Sequence, residues 1–76
     1  MSGRGSYALE AGRELSPRMV DVLRKAAQGA NVNETASELG IAEGTVRTIK
    51  QAAFARLGVH SITAAITEAR RQGAPL

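Results

Sequence analysis

The segment from residue 34 to residue 50, ETASELGIAEGTVRTIK, constrains the fold more than any other part of the chain. It places a small residue, Ala36, four positions before Gly40, and apolar residues stand on both sides of that glycine. Two helices that are joined by a turn of about three residues cross at a steep angle. Such a crossing needs a small side chain in the first helix and a residue that tolerates positive φ in the turn. Ala36 and Gly40 meet these two needs, so the segment predicts two helices that cross closely.

The apolar positions around this turn predict how the two helices are held together. Leu39 and Ile41 flank the glycine, and Val46 and Ile49 follow at helical spacing. We expect these four side chains to clamp the pair, as in a helix-turn-helix unit. Thr35 occupies a position that is usually apolar in such units, and its methyl group can still pack.

Capping signals predict four helices between residues 15 and 73, and no strand pattern competes with them. The signals are Ser16 with Pro17, Asn31 with Glu34, and Ser61 at helix starts, and Gly29, Gly40, Gly58 and Gly73 at helix ends. The third helix is expected at about 43–57. The predicted fold is therefore an all-α, four-helix domain at 15–73. Residues 1–14 hold three glycines and two serines, which predicts a flexible N-terminal tail.

Composition excludes several classes of function. Tyr7 and Phe54 are the only aromatic residues, so the core must be built from small and aliphatic side chains. Without cysteine, and with His60 as the single histidine, we predict no metal site and no cofactor. The small core leaves little room for a catalytic cleft, so we predict that the protein is not an enzyme. No apolar run approaches the length of a membrane span, which predicts a cytoplasmic protein without a membrane partner.

The positive charge is concentrated in the second half of the chain. Residues 1–40 carry five basic and five acidic residues, whereas residues 41–76 carry five basic and two acidic ones. The whole formal net charge of +3 therefore belongs to residues 41–76. An excess of this kind favours an anionic partner such as nucleic acid.

The outward side of the third helix carries side chains that can read DNA. On a helical wheel at about 100° per residue, Arg47, Thr48 and Gln51 lie opposite the apolar stripe, together with Gly44 and Ala55. Arg can make paired hydrogen bonds to guanine, Gln can do so to adenine, and the Thr methyl group can contact thymine. Small neighbours allow such a helix to enter the major groove deeply.

These residues give the chain a resemblance to the LuxR-type, or GerE-type, helix-turn-helix domain of bacterial transcription regulators. The resemblance covers roughly residues 15–71. It rests on Leu15-Ser16-Pro17-Arg18, Val22-Leu23, Gln28-Gly29, Glu34, Ala36, Leu39-Gly40-Ile41, Glu43-Gly44-Thr45-Val46-Arg47, Leu57-Gly58-Val59 and Ala65. It implies a four-helix domain that binds double-stranded DNA, and the chain is similar to the stand-alone members of about its length.

The resemblance also implies roles for individual residues. The third helix would read the major groove, with Arg47, Thr48 and Gln51 as base readers and Thr45 as a phosphate contact. Lys50 stands at the edge of the buried stripe, where its charge can reach a phosphate. The fourth helix would form a homodimer. Its expected dimer contacts are Ile62, Ala65, Ile66 and Ala69.

Four departures from the family pattern concern caps and DNA contacts. Met19 replaces a glutamate that usually completes the cap of the first helix, and Ala42 replaces a serine that usually caps the third. A missing cap costs about 0.5–2 kcal/mol. Asn33 stands where the family usually has a phosphate-binding lysine, and Ile49 stands where it has a histidine. These departures bear on affinity and base preference rather than on the fold.

The departures leave two alternative functions open. A domain that has lost DNA contacts could be a protein-interaction module, such as an anti-activator or adaptor that binds another regulator or RNA polymerase. Val32, Ile49 and the missing lysine favour this alternative. The other alternative is an accessory DNA-binding protein similar to an excisionase, which would bend DNA at a recombination site.

Overall fold

The computed structural model describes residues 15–76, so the predicted tail at 1–14 lies outside the described residues. The described residues form four α-helices: α1 (Pro17–Ala27), α2 (Val32–Leu39), α3 (Glu43–Leu57) and α4 (Ile62–Arg71). The predicted all-α, four-helix fold is therefore confirmed. Within residues 15–76 none of the helices has the length and apolar character that a membrane span requires.

Side-chain caps start three of these helices, and α3 is the exception. The side chains of Ser16, Asn31 and Ser61 accept hydrogen bonds from the backbone N–H groups of Met19, Glu34 and Ala64, respectively. At α2 the capping box is complete, because the Glu34 carboxylate also accepts from the N–H of Asn31 at 2.9 Å. Ala42 starts α3 without a side-chain hydrogen bond, so the N–H groups of the first turn have no side-chain cap.

The buried side chains form two clusters that meet beneath α3. The larger cluster is built mainly from α1, α3 and α4, and its members are Leu15, Met19, Val20, Leu23, Ala53, Leu57, Ala65, Ala69 and Ala74. The smaller cluster joins α1 to the α2–α3 pair through Val22, Ala36 and Val46. Ile49 packs against both clusters and so links them.

The turn between α2 and α3 has the geometry that the sequence predicts. Gly40 ends α2 in the left-handed region, with φ 71° and ψ 35°. The N–H of Ile41 donates to the Ala36 carbonyl at 3.0 Å, and that of Gly40 donates to the Ser37 carbonyl at 3.3 Å. This pair of bonds is a Schellman motif. It turns the chain so that Leu39 and Ile41 pack against the smaller cluster.

Met19 and Thr35 show how two departures from the usual pattern are accommodated, one towards an apolar residue and one towards a polar residue. Met19 has no carboxylate to complete a capping box, but its side chain is only 8% exposed and belongs to the larger cluster. Thr35 is 2% exposed, in agreement with the expectation that its methyl group packs in the interior. In both cases the side chain contributes to the interior of the domain.

The turn predicts opposite effects for alanine at two glycines. We expect Gly40→Ala to lower the free energy of unfolding by about 1–2 kcal/mol, because an L side chain is strained at positive φ. A Cβ atom at Gly40 meets nothing within 4 Å, so the effect comes from the backbone alone. Gly44 has equally open space but lies inside α3. Gly44→Ala should therefore raise the free energy of unfolding by about 1 kcal/mol. Urea denaturation of both variants measures this, and effects of equal sign would contradict the role assigned to Gly40.

Candidate nucleic-acid interface

The outward side of α3 is open to solvent along its length. Its exposed residues are Gly44, Arg47, Thr48, Gln51 and Ala55. The opposite side carries Val46, Ala53 and Leu57, which are buried in the two clusters. Packing against α1 and α2 therefore fixes the rotation of α3, and this rotation points the polar side chains away from the body of the domain.

The three predicted base readers lie together on this outward side. Gln51 follows Arg47 by four residues and Thr48 by three, spacings that bring side chains next to each other on a helix surface. All three are exposed, and the Arg47 side chain keeps 61% of its surface accessible. The small residues Gly44 and Ala55 lie beside them, so no bulky side chain of α3 shields this group.

Thr45 and Lys50 lie on opposite flanks of the same helix. Thr45 is exposed near the uncapped start of α3, and Lys50 is half-buried one and a half turns later. Lys50 lines a groove of about 350 Å³ together with Ala26 and Val32, so its side chain lies on the flank nearer to α2. The remaining groove residues are Val22, Gly29, Ala30, Asn31, Thr35, Val46 and Ile62, and none of them is charged.

Three side chains that are linked by hydrogen bonds cross this surface at the start of α3. The sequence did not predict this link. Asn33 of α2 donates from Nδ2 to Oε2 of Glu43 at 2.7 Å. The other carboxylate oxygen, Oε1, pairs with Nη2 of Arg47 at 3.4 Å. We call these residues the Asn33–Glu43–Arg47 chain. The spacing of Glu43 and Arg47 by four residues signals their ion pair, but the contact with Asn33 depends on how α2 crosses α3.

The family of this protein is established by comparison with known sequences. A family model described as bacterial regulatory proteins, luxR family, matches residues 13–69, well over half of the chain. The chain belongs to the luxR family. The match includes α1, α2 and α3 completely, and it covers most of α4.

Relatives and a solved structure support the same assignment to the luxR family. Two proteins of Mycobacterium tuberculosis, from strains CDC 1551 / Oshkosh and ATCC 25618 / H37Rv, are each described as probable transcriptional regulatory protein NarL. Each is 41% identical over 58 residues, which cover 76% of this chain and 27% of the relative. The crystal structure of the response regulator ChrA, in a heme-sensing two-component system, is 39% identical with a TM-score of 0.77. That likeness covers 80% of this chain and 30% of ChrA.

These comparisons establish a DNA-binding helix-turn-helix domain of the type found in luxR-family transcription regulators. The chain spans about a quarter of the NarL proteins that it matches. The similarity therefore concerns this domain alone. Within residues 15–76 no group of three or more His, Asp or Glu side chains lies close enough to hold a metal ion.

The structure places the four predicted dimer residues of α4 in different surroundings. Ala65 and Ala69 have no exposed surface, because both belong to the larger buried cluster of the domain itself. Neither side chain is therefore open to contact with a second copy of the domain. Ile62 is half-buried and packs against that cluster. Ile66 is also half-buried, and it is not one of the side chains that pack there.

The accessible side of α4 is mostly polar. Beside Ile66 it exposes Thr63, Thr67 and Arg70. Arg71, at the end of the helix, donates to the Glu68 carboxylate. This hydrogen bond and the charge of Glu68 raise the pKa of Arg71 above its usual value.

Proposed function

We propose that this luxR-family domain is a sequence-specific transcriptional regulator that places α3 in the major groove of double-stranded DNA. The observation that carries the proposal is the exposed outward side of α3, where Arg47, Thr48 and Gln51 lie together beside small residues. The opposite side of the helix is buried, so only this side can meet a partner. Such a regulator acts where bacterial DNA lies, in the cytoplasm.

Each of the three side chains offers a different kind of base contact. Arg47 presents paired N–H donors that match the O6 and N7 acceptors of guanine. Gln51 can donate and accept, which matches the N6 and N7 atoms of adenine. Thr48 adds a methyl group, which can contact the methyl group of thymine. Because they occupy adjacent positions of one helix, these residues would read neighbouring base pairs.

Phosphate contacts would come from both flanks of α3 and from its start. Thr45 offers an exposed hydroxyl, and Lys50 offers a cation on the flank nearer to α2. The uncapped N–H groups after Ala42 point out of the positive end of the helix dipole, which favours an anion. These contacts orient α3 in the groove but carry no sequence information.

A homodimer of the domain would form on DNA rather than in free solution. Ile66 supplies a half-buried apolar side chain on the accessible side of α4, and its exposed neighbours Thr63, Thr67 and Arg70 are polar or charged. An interface with so few apolar side chains would hold two free proteins together only weakly. Two half-sites about one helical turn apart would instead bring two copies into contact through α4.

Two of the residues that favoured the alternative, a protein-interaction module that replaces DNA binding, have a role in the packing of the domain. Val32 and Ile49 favoured that alternative because they are apolar at positions where the family is polar. Both pack against the smaller buried cluster, and Ile49 contacts the larger one as well. Their apolar character is explained by the interior of the domain, so they do not form an exposed docking patch.

Arg47→Ala tests the base-reading role. On an operator selected from random duplexes, the substitution should weaken binding by about 1–3 kcal/mol and relax the preference at one base pair. Arg18→Ala is the matched control, since it removes the same charge from the first turn of α1. Binding titrations at fixed salt measure both variants. If Arg47→Ala binds the operator as tightly as the wild type does, Arg47 is not a base reader.

Ile66→Asn tests the dimer contact without changing the net charge. We expect loss of cooperativity on a duplex that carries two half-sites, and unchanged affinity for a duplex that carries one. Gel-shift titrations on both duplexes measure this, and a thermal melt confirms that the variant is folded. Wild-type cooperativity in the variant would show that α4 does not join the two copies through Ile66.

A further inference from the structure

We propose that Glu43 is a positioning residue that directs Arg47 to a base and raises the preference of the domain for its operator over other DNA. The inference rests on the proposed function, and it assigns roles to two residues that are not themselves base readers. Its basis is the Asn33–Glu43–Arg47 chain at the start of α3. The chain joins α2 to a base reader across the surface that would face DNA.

Both oxygens of the Glu43 carboxylate have a protein partner. Asn33 holds Oε2 at 2.7 Å, and Arg47 pairs with Oε1 at 3.4 Å. The first contact comes from a different helix, so it fixes the carboxylate relative to α2 as well as α3. Asn33 keeps the Glu43 carboxylate in place. In the absence of DNA, the guanidinium of Arg47 therefore samples fewer orientations than that of an unrestrained arginine on a helix surface.

The carboxylate distinguishes contact with a base from contact with the DNA backbone. A guanidinium has five N–H donors, and guanine uses two of them. Arg47 can therefore bind guanine and keep a donor on Glu43. A phosphate that attracts Arg47 instead meets the like charge of Glu43 close by, which opposes that contact. Glu43 thus penalises phosphate-only binding more than base binding, and this difference is what specificity requires.

Asn33 suits this role because it is neutral. It holds the carboxylate through a hydrogen bond and leaves its negative charge uncompensated, so the charge of Glu43 stays effective against phosphate. A lysine at the same position would neutralise Glu43 and would itself attract phosphate. Asn33, which stands in place of the usual lysine, therefore lowers the affinity for non-specific DNA and raises the preference for the operator.

The experiment compares operator and random duplexes of equal length for the wild type, Glu43→Gln, Asn33→Ala, Arg47→Ala and the double variant of Glu43→Gln with Arg47→Ala. Glu38→Gln is the control for net charge, since Glu38 pairs with Lys25 at the α1–α2 contact, at 2.8 Å. We expect Glu43→Gln to reduce the operator preference about two-fold, near the largest factor that an exposed ion pair at positions i and i+4 supplies. Glu38→Gln should leave that preference unchanged.

Two further variants separate positioning from a simple charge effect. Asn33→Ala keeps the net charge, yet it should reduce the operator preference in the same direction as Glu43→Gln. In the Arg47→Ala background, Glu43→Gln should change the preference no further. The order parameter of the Arg47 Nε–H bond, measured by NMR without DNA, should fall in both Glu43→Gln and Asn33→Ala.

The outcomes distinguish this inference from the proposed function. If the wild type prefers its operator and Glu43→Gln behaves like Glu38→Gln, the inference is overturned while DNA reading stands. An effect of Glu43→Gln that persists fully without Arg47 also overturns it, because Glu43 would then read a base itself. If the wild type shows no preference for any selected duplex, the proposed function fails and the inference fails with it.

Discussion

The close contact between α2 and α3 is the constraint on which the rest of the structure depends. Ala36 is small enough for the two helices to approach, and it is 5% exposed in the smaller buried cluster with Val46. The left-handed Gly40 makes the short turn possible. Because this contact buries one side of α3, it also determines which side remains exposed, and Arg47, Thr48 and Gln51 stand on that side.

The same scarcity of large side chains shapes both the interior and the surface of this luxR-family domain. Four of the nine residues in the larger cluster are alanines, so α4 lies close to the rest of the domain and uses Ala65 and Ala69 for its own packing. The side of α4 that remains accessible is mostly polar. In the homodimer that we propose, DNA that carries two half-sites would therefore supply most of the free energy that brings the two copies together.

Local signals predicted the fold well, whereas contacts between helices decided the details of the site. Caps such as Ser16, Asn31 and Ser61 act within a few residues of chain, so they place the starts of their helices directly. Burial depends on which sides of two helices meet, and helical spacing alone did not show that Ala65 and Ala69 face inward. The bond from Asn33 to Glu43 joins residues ten positions apart, and it arises only from the crossing of α2 and α3.

The most direct test of the central claim is an NMR titration of the isotope-labelled domain with an operator duplex. If α3 lies in the major groove, the largest changes in amide chemical shift should fall on residues 42–55, including Arg47 and Gln51. The acidic side of α2 near Glu34 and Glu38 should change little. Large changes on that side, with α3 unaffected, would contradict the account.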